Sequence, residues 1–357
     1  MRQPVPGAAA GGVGTMAGGP PAVEITFLHD ATAWQAVAEA WDESLKASAV
    51  DVPFLRYGFL RAWWSTFGGG EWPDGELWIG VGRDGGRSLQ AAPLFCTTAR
   101  PDSLLLLGTS EIADYLDLIT EPARIDEFAA SLLAALEREA PGRTLDLWNI
   151  LETSPTAAAL ARAAAGAGWS FARQRLKPCP RILLDGGWEA YLARLDKKQR
   201  HELRRKMRRV EATPGAEYVR AGPGPELAGA VEAFLRLMTH DEAKAGFLTP
   251  RMHAMFHALT EVAAREGWLR LEFLRIDGRP AAGALCFEYG DRLMIYNSGL
   301  DPAFLALSPG WALLGHLIRS AAEGGKREVD FLRGGEEYKF RLGGEARFVE
   351  RLTLRKA

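Results

Sequence analysis

The sequence predicts an α/β (α+β) chain of two tandem domains, each a mixed sheet flanked by helices. Three observations predict it. Strand-like and helix-like patterns alternate along the chain, their order repeats between the halves, and short motifs recur in that same order.

The 357 residues suffice for two hydrophobic cores. Hydrophobic residues at 47% and charged residues at 25% exclude a fibrous or wholly disordered chain. A formal net charge of -2 excludes an indiscriminate polyanion binder. Cys96, Cys179 and Cys286 are odd in number, far apart and in no CxxC pair. Neither a disulfide framework nor a structural zinc site is therefore expected, and a cytoplasmic setting is. Residues 1–22 are rich in Gly, Ala and Pro, with Arg2 as the lone charge. They lack a signal-peptide pattern and read as a disordered tail, with translation starting at Met1 or Met16. No run approaches the ~18 apolar residues of a membrane span.

Val23–Leu28 is strand-like, and helical spacing follows at Ala31–Lys46 and Phe54–Phe67. Glu76–Val81 and Leu89–Phe95 form a hairpin pattern about Asp84-Gly85-Gly86. Then come the strand Leu104–Leu107, the helix Ile125–Glu139, the strand Leu145–Ile150, a helix at Thr156–Ala165 and the strand Ser170–Arg175. Pro178 and Pro180 punctuate the chain there, which sets the domains at 23–178 and 179–357. The second half begins with the strand Arg181–Leu184 and one long helix, Trp188–Ala212. Helices at Pro225–Asp241 and Pro250–Glu266 precede strands at Trp268–Ile276, Ala281–Tyr289 and Arg292–Ser298. Pro309–Ala322 is helical, and Glu328–Leu332 and Arg347–Leu354 are strands.

Three echoes link the halves. Asp84-Gly85-Gly86-Arg87 before Ala91-Ala92-Pro93 matches Asp277-Gly278-Arg279 before Ala282-Gly283-Ala284, Leu107-Gly108 matches Ser298-Gly299, and Arg143–Trp148 matches Arg327–Leu332. Duplication explains their common order, although Asp-Gly hairpins alone are frequent.

Two signals are set aside. Gly80-Val81-Gly82-Arg83-Asp84-Gly85 spells GxGxxG, but a strand follows where a dinucleotide site needs a helix. His253, His257 and Glu261 share a helix face without the HExxH spelling, so no metal is expected.

Three segments concentrate chemistry. Residues 196–211 carry eight Lys and Arg against three Asp and Glu, a local field that suits phosphates or tRNA, or a solvated helix face. Tyr296-Asn297-Ser298 ends a strand in polar side chains, and Ser308-Pro309-Gly310 opens a helix with Ser308 as the expected N-cap and free N–H groups for an anion. Asp330-Phe331-Leu332-Arg333-Gly334 through Tyr338-Lys339 runs a buried strand into a loop of ionisable groups. An internal ion-pair cluster is the plain alternative there.

Together with Lys244-Ala245-Gly246-Phe247, these residues resemble the CelD-like and FemAB-like branch of the GNAT acyltransferase superfamily, most clearly over 188–343. Ala92-Pro93-Leu94 and Asp114-Tyr115-Leu116-Asp117 resemble the first domain of two-domain members. The resemblance implies two packed GNAT folds and acyl transfer to an amine, with acetyl-CoA or another acyl-CoA as donor and no metal. It implies an acceptor that is a small-molecule, peptide or sugar amine. The GNAT pyrophosphate loop (Q/R)xxGx(G/A) is not spelled out after Tyr296, and Ser308-Pro309-Gly310 is the local substitute. FemAB-type relatives use aminoacyl-tRNA instead, which the basic helix would suit.

Acyl transfer needs a proton acceptor, an acid for the leaving group and a stabiliser of negative charge. The expected roles are Asp330 as proton acceptor, Tyr338 as acid, and Lys339 and Arg333 holding phosphates or developing charge. Tyr296, Asn297, Ser298, Ser308, Gly310 and Gly334 would contact the donor. Asp114, Tyr115, Asp117 and Lys244 would face the acceptor. An aminoacyl-tRNA-dependent ligase and a non-catalytic module for envelope or polysaccharide assembly remain as alternatives.

Overall fold

The computed structural model describes residues 23–83 and 89–356. The expected tail and the Asp84-Gly85-Gly86 turn lie outside them. The first half runs β1 (Ile25–Leu28), α1 (Ala31–Gln35), α2 (Ala38–Lys46), α3 (Tyr57–Gly70), β2 (Glu76–Arg83), β3 (Leu89–Thr97) and β4 (Arg100–Leu106). It continues through α4 (Ile125–Glu139), β5 (Thr144–Leu151), α5 (Thr156–Ala167) and β6 (Trp169–Leu183). A helical pair, α6 (Gly187–Arg194) and α7 (Lys197–Glu211), leads to the second half. There β7 (Ala216–Ala221) precedes α8 (Leu227–Met238), α9 (Glu242–Phe247) and α10 (Pro250–Arg265). The rest is β8 (Leu269–Ile276), β9 (Arg279–Tyr289), β10 (Arg292–Leu300), α11 (Pro309–Glu323), β11 (Glu328–Asp330), α12 (Glu337–Arg341) and β12 (Glu345–Lys356).

All twelve strands form one sheet in the order β1-β2-β3-β4-β5-β12-β6-β11-β10-β9-β8-β7. The order is symmetric about its centre: β1 to β6 correspond to β7 to β12, and each half lends its last strand to the other. Strand β12 pairs with β5 and β6, and β6 pairs with β11. Both halves hold one parallel pair, β4 with β5 and β10 with β11.

Several expectations change here. Two strands broken by prolines are one, β6, which runs through Pro178 and Pro180, so the boundary at 178/179 falls inside a strand. The prolines fit because their carbonyls face the segment after β11, accepting from Gly334 N and Phe331 N at 2.9 Å each. A proline N–H, had there been one, would also point there and not into the β12 ladder. The single long helix is two, because Asp196 turns the chain and caps α7, its Oδ1 accepting from Lys198 N and Gln199 N. Strand β7 and helix α9 carry no clear periodicity and were not expected.

The sheet is covered on both faces. In the second half Val231, Phe234 and Leu259 of α8 and α10 pack with Phe273 and Phe287. On the opposite face Leu203, Met207 and Val210 of α7 join Leu313 and Leu317 of α11. The periodicity of α7 thus reads its buried stripe correctly. The symmetry-related helices α3 and α10 pack on each other and tie the halves together, with Arg56 Nε 2.6 Å from Glu266 Oε2. Gly299 permits another close approach: a Cβ there would lie 2.6 Å from the Leu237 carbonyl carbon, so the end of α8 rests directly on β10. No described helix is long and apolar enough to cross a membrane.

Candidate active site

Strands β10 and β11 pair only over Arg292–Met294 and Glu328–Asp330. A bulge between Ile295 and Asn297 then bends β10, and Leu332, at φ 56°, turns the other chain away. The parallel strands part, leaving a cavity of about 300 Å³. Its walls include Tyr296, Asn297 and Ser298 from β10, Arg333, Gly334, Tyr338 and Lys339 beyond β11, Lys244 of α9 and Asp114 of the first half. Most of the residues singled out by sequence therefore meet in one place. Glu111, Lys177, Phe247 and Phe256 also line it. Glu111 and Lys177 had no local signal, since first-half residues and β6 reach the gap only through the strand exchange; Phe247 ends the Lys244 motif, and Phe256 reads as an ordinary helix core residue.

The side chains there differ in freedom. Tyr338 is packed edge-on to Phe331, and its hydroxyl makes no hydrogen bond to the described residues. Burial, with Glu336 adding to it, raises its pKa well above the ordinary phenol value, so it stays protonated. Lys339 is buried, and its ammonium spends its three donors on Arg333 O (3.0 Å), Gly334 O (3.3 Å) and Glu336 Oε2 (2.9 Å). Arg333 is equally committed. Its Nε donates to Asp114 Oδ1 (2.5 Å), Nη1 to Ser110 O (2.7 Å) and Asn149 Oδ1 (3.2 Å), and Nη2 to Glu111 O (2.8 Å). Both cations were expected to hold donor phosphates or developing negative charge. Their geometry makes them fasteners of the loop, with Arg333 pinning it to the first half. Burial pushes the Asp114 carboxyl up, with Arg333 opposing.

Asp330 corrects a second expectation. It is fully buried at the end of β11, where Oδ1 accepts from Tyr115 Oη (2.9 Å) and Leu332 N (2.8 Å) and Oδ2 accepts from Arg347 Nη2. It lines none of the cavities described here. Arg347 comes from β12, so the strand exchange supplies the cation.

Tyr115 and Asp117 do not face an acceptor either. In the first half the place corresponding to the open gap, beyond the β4–β5 pair, is filled by residues 112–119. Leu116 bridges to Ile150 and Ile119 to Ala91, and this whole segment is buried. The symmetric site is closed by its own chain, leaving the second half as the open one. Asp117 is fully buried inside this plug, accepting from Leu118 N and Thr156 Oγ1. Burial pushes its pKa from 3.8 up to about 6 against those bonds. A carboxyl raised on folding stabilises fully below pH 3.8, and that contribution is lost as pH rises through 6, about 3 kcal/mol at most. Asp117→Asn is expected to remove the loss. Urea unfolding at pH 4 and pH 7.5 should show the variant gaining on the parent by about 2–3 kcal/mol between the two. A difference independent of pH would contradict this.

Gly310 lies at a neighbouring opening, whereas Ser308, expected to contact the donor, lines neither cavity. Ser308 stands before α11 at φ 56° and makes no capping hydrogen bond, contrary to the expected N-cap role. Its αL backbone aims the hydroxyl away from the first-turn N–H groups. Gly310 instead lines a second, mostly apolar cavity of about 270 Å³ with Leu237, Met238, Leu300, Leu313 and Leu314. The two cavities share Lys244 and Ser298, and Lys244 Nζ donates to Ser298 O at 2.6 Å. Tyr296 is committed by its hydroxyl to Ile112 O (2.8 Å), while Asn297 Oδ1 covers the Ser298 N–H (3.0 Å).

The basic helix α7 lines neither cavity. Lys206 is buried over the Trp311 ring at 4.0 Å, and Arg204 and Arg209 bind Glu189 and Ala306 O. Lys197, Lys198, Arg205 and Arg208 are exposed. His253 and His257 turn toward one carboxylate, Glu232, at 3.6 and 2.6 Å, and no cluster with metal-ligand character occurs among the described residues. The three cysteines are buried and free.

Residues 197–340, which include the parallel pair and the bulged strand, match the family model described as acetyltransferase (GNAT) domain. The chain carries that match within its second half. It is similar in fold to FemX, at 12% identity and TM-score 0.65, with 92% of this chain and 96% of that one covered. It is similar to a conserved protein of unknown function from Bacteroides thetaiotaomicron VPI-5482 (12% identity, TM-score 0.57, 93% and 100% covered). A third neighbour is the C-terminal DUF2156 domain of a proposed lysylphosphatidylglycerol synthetase from Agrobacterium fabrum (10% identity, TM-score 0.54, 90% and 92% covered). No match is found among curated protein sequences. At such identities the neighbours speak for the fold alone.

Proposed function

We propose that the protein is an N-acyltransferase that moves an acyl group, most simply acetyl, from an acyl-CoA thioester to an amine in a cytoplasmic setting. The observation that carries this is the gap between β10 and β11, lined by both the polar end of β10 and Tyr338, whose protonated hydroxyl has no hydrogen-bond partner among the described residues. By sequence the chain comprises two GNAT-like units, 23–178 and 179–357, joined through the exchange of β6 and β12.

The donor lies along Ser298 and Gly310. Its phosphates take the N–H groups of the uncapped first turn of α11, where the helix dipole favours negative charge. Its acyl carbonyl displaces the Asn297 amide from the Ser298 N–H, and this backbone donor stabilises the oxyanion as it forms. Tyr338 protonates the departing sulfur. Arg333, Lys339 and Asp330 position the loop that carries Tyr338 and touch no reacting atom. The acceptor amine enters from the side of Glu111 and Lys177.

Binding of coenzyme A by the full chain tests this. A ligand specific to the folded state at one hundred times its Kd stabilises by about 2.7 kcal/mol, read as a raised Tm. Stabilisation by acetyl-CoA is expected. Stabilisation by bulk tRNA alone, falling steeply with salt, would instead favour an aminoacyl-tRNA donor held by the exposed cations of α7.

A further inference from the structure

We infer that Lys244 is the catalytic base of the reaction, taking a proton from the acceptor ammonium at the point where the two cavities meet. This rests on the acyl-transfer function proposed above and names the proton acceptor that function lacks.

Position comes first. Lys244 and Ser298 line both the apolar cavity beside α11 and the polar cavity beyond β11. A donor lying in one and an acceptor in the other must meet at this pair. Lys244 Nζ is held in place by one hydrogen bond, to Ser298 O at 2.6 Å. That carbonyl belongs to the residue whose N–H faces the acyl oxygen in the proposed mechanism, so base and oxyanion donor are fixed to one backbone unit.

Elimination comes second. Asp330 is sealed off by Tyr115 and Arg347. Asp114 is locked to Arg333, Lys339 has its three donors occupied, and Glu336 is paired with Lys339. Among the described groups at the junction, Lys244 retains unused hydrogen-bonding capacity after its single bond.

The electrostatics agree. Burial lowers the pKa of Lys244 from 10.5, with Asp241 and Glu336 opposing and Lys339 adding to the shift. His240 and Asp241 line the cavity beside α11 with it, and Glu111, Lys177, Glu336 and Lys339 line the polar cavity with it. A half-buried amine whose charged form is disfavoured is the state a lysine base requires.

The step balances. The acceptor ammonium gives one proton to neutral Lys244, and its freed lone pair forms the C–N bond as the carbonyl electrons move to oxygen. The C–S bond then breaks, Tyr338 protonates the sulfur, and the remaining extra proton on nitrogen passes to the Tyr338 phenolate. Lys244 returns its proton to solvent, so each turnover releases one proton.

The test uses the full chain, acetyl-CoA and a panel of primary amines, with thiol release as the readout across pH. Lys244→Arg keeps a donor for Ser298 O but stays charged and cannot accept a proton near neutrality. Lys244→Gln removes the charge. Both are expected to lose about 100-fold or more in kcat/KM and the acidic limb of the pH profile, while CoA affinity stays within about twofold. Hydroxylamine, already unprotonated at neutral pH, should be acylated by parent and variants at similar rates. Lys244→Arg retaining full turnover with the acidic limb intact would overturn the assignment alone, as would variants failing equally with hydroxylamine. A parent without amine-dependent thiol release would remove the acyl-transfer function and this inference with it.

Discussion

Tyr338→Phe is expected to reduce turnover about 100-fold or more while leaving donor affinity and stability nearly unchanged. The hydroxyl contributes no hydrogen bond to the described residues, so its removal strands no partner, and the ring keeps its edge contact with Phe331. Stability should move by no more than about 0.5 kcal/mol. The raised pKa means the proton is held across the working range, so the parent should show no basic limb from this group below pH 10. Steady-state kinetics beside thermal unfolding separates the possibilities. Full turnover in Tyr338→Phe would remove this residue as the acid. A large loss of stability would show instead that the hydroxyl is structural.

Arg347→Ala is expected to be the more damaging change to the fold. Arg347 Nη2 contacts Asp330 Oδ2, lies 3.2 Å from Glu328 Oε1 and 3.4 Å from Tyr115 Oη, and its guanidinium sits over the Tyr115 ring at 5.1 Å. Asp330 is fully buried and Glu328 nearly so. Removing the cation leaves a buried charge uncompensated, which costs about 3–5 kcal/mol. Against a typical net stability of about 5–15 kcal/mol that is a large fraction. Adding Asp330→Asn should recover part of the loss, because a neutral amide no longer needs the arginine. Chemical denaturation of the two single variants and the double variant reads this directly. Two losses that simply add would contradict the ion pair.

Much of this was legible in the residues. The repeated element order survives as the symmetric sheet, and Arg333–Lys339, Tyr296–Ser298 and Lys244 do converge. What was not legible depends on contacts distant in sequence. Asp330 looks like a free carboxylate at a strand end until β12 crosses into the other half and delivers Arg347. Asp114, Tyr115 and Asp117 look like an acidic acceptor surface, but residues 112–119 fill a gap whose existence is known only from the sheet. Arg333 and Lys339 look like binders of a donor's phosphates, yet they are already taken up by the Asp114 and Glu336 carboxylates and by carbonyls of the surrounding loops. Ser308 fails as a cap for a local reason, its left-handed backbone, which the Ser-Pro spelling does not reveal. The prolines of β6 suggested an end to a strand because their carbonyl-side partners lie 150 residues away.

In the proposed reaction an acyl-CoA donor lies along Ser298 and Gly310 and presents its thioester where the apolar cavity meets the opening between β10 and β11. Calorimetric titration of the full chain with coenzyme A, repeated on Ser298→Trp, tests it most directly, since an indole there would fill the junction of the two cavities. The expected result is a single saturable site in the parent and at least a tenfold weaker one in the variant, with both proteins folded by circular dichroism. No binding to the parent, or equal binding to the two, would contradict the claim.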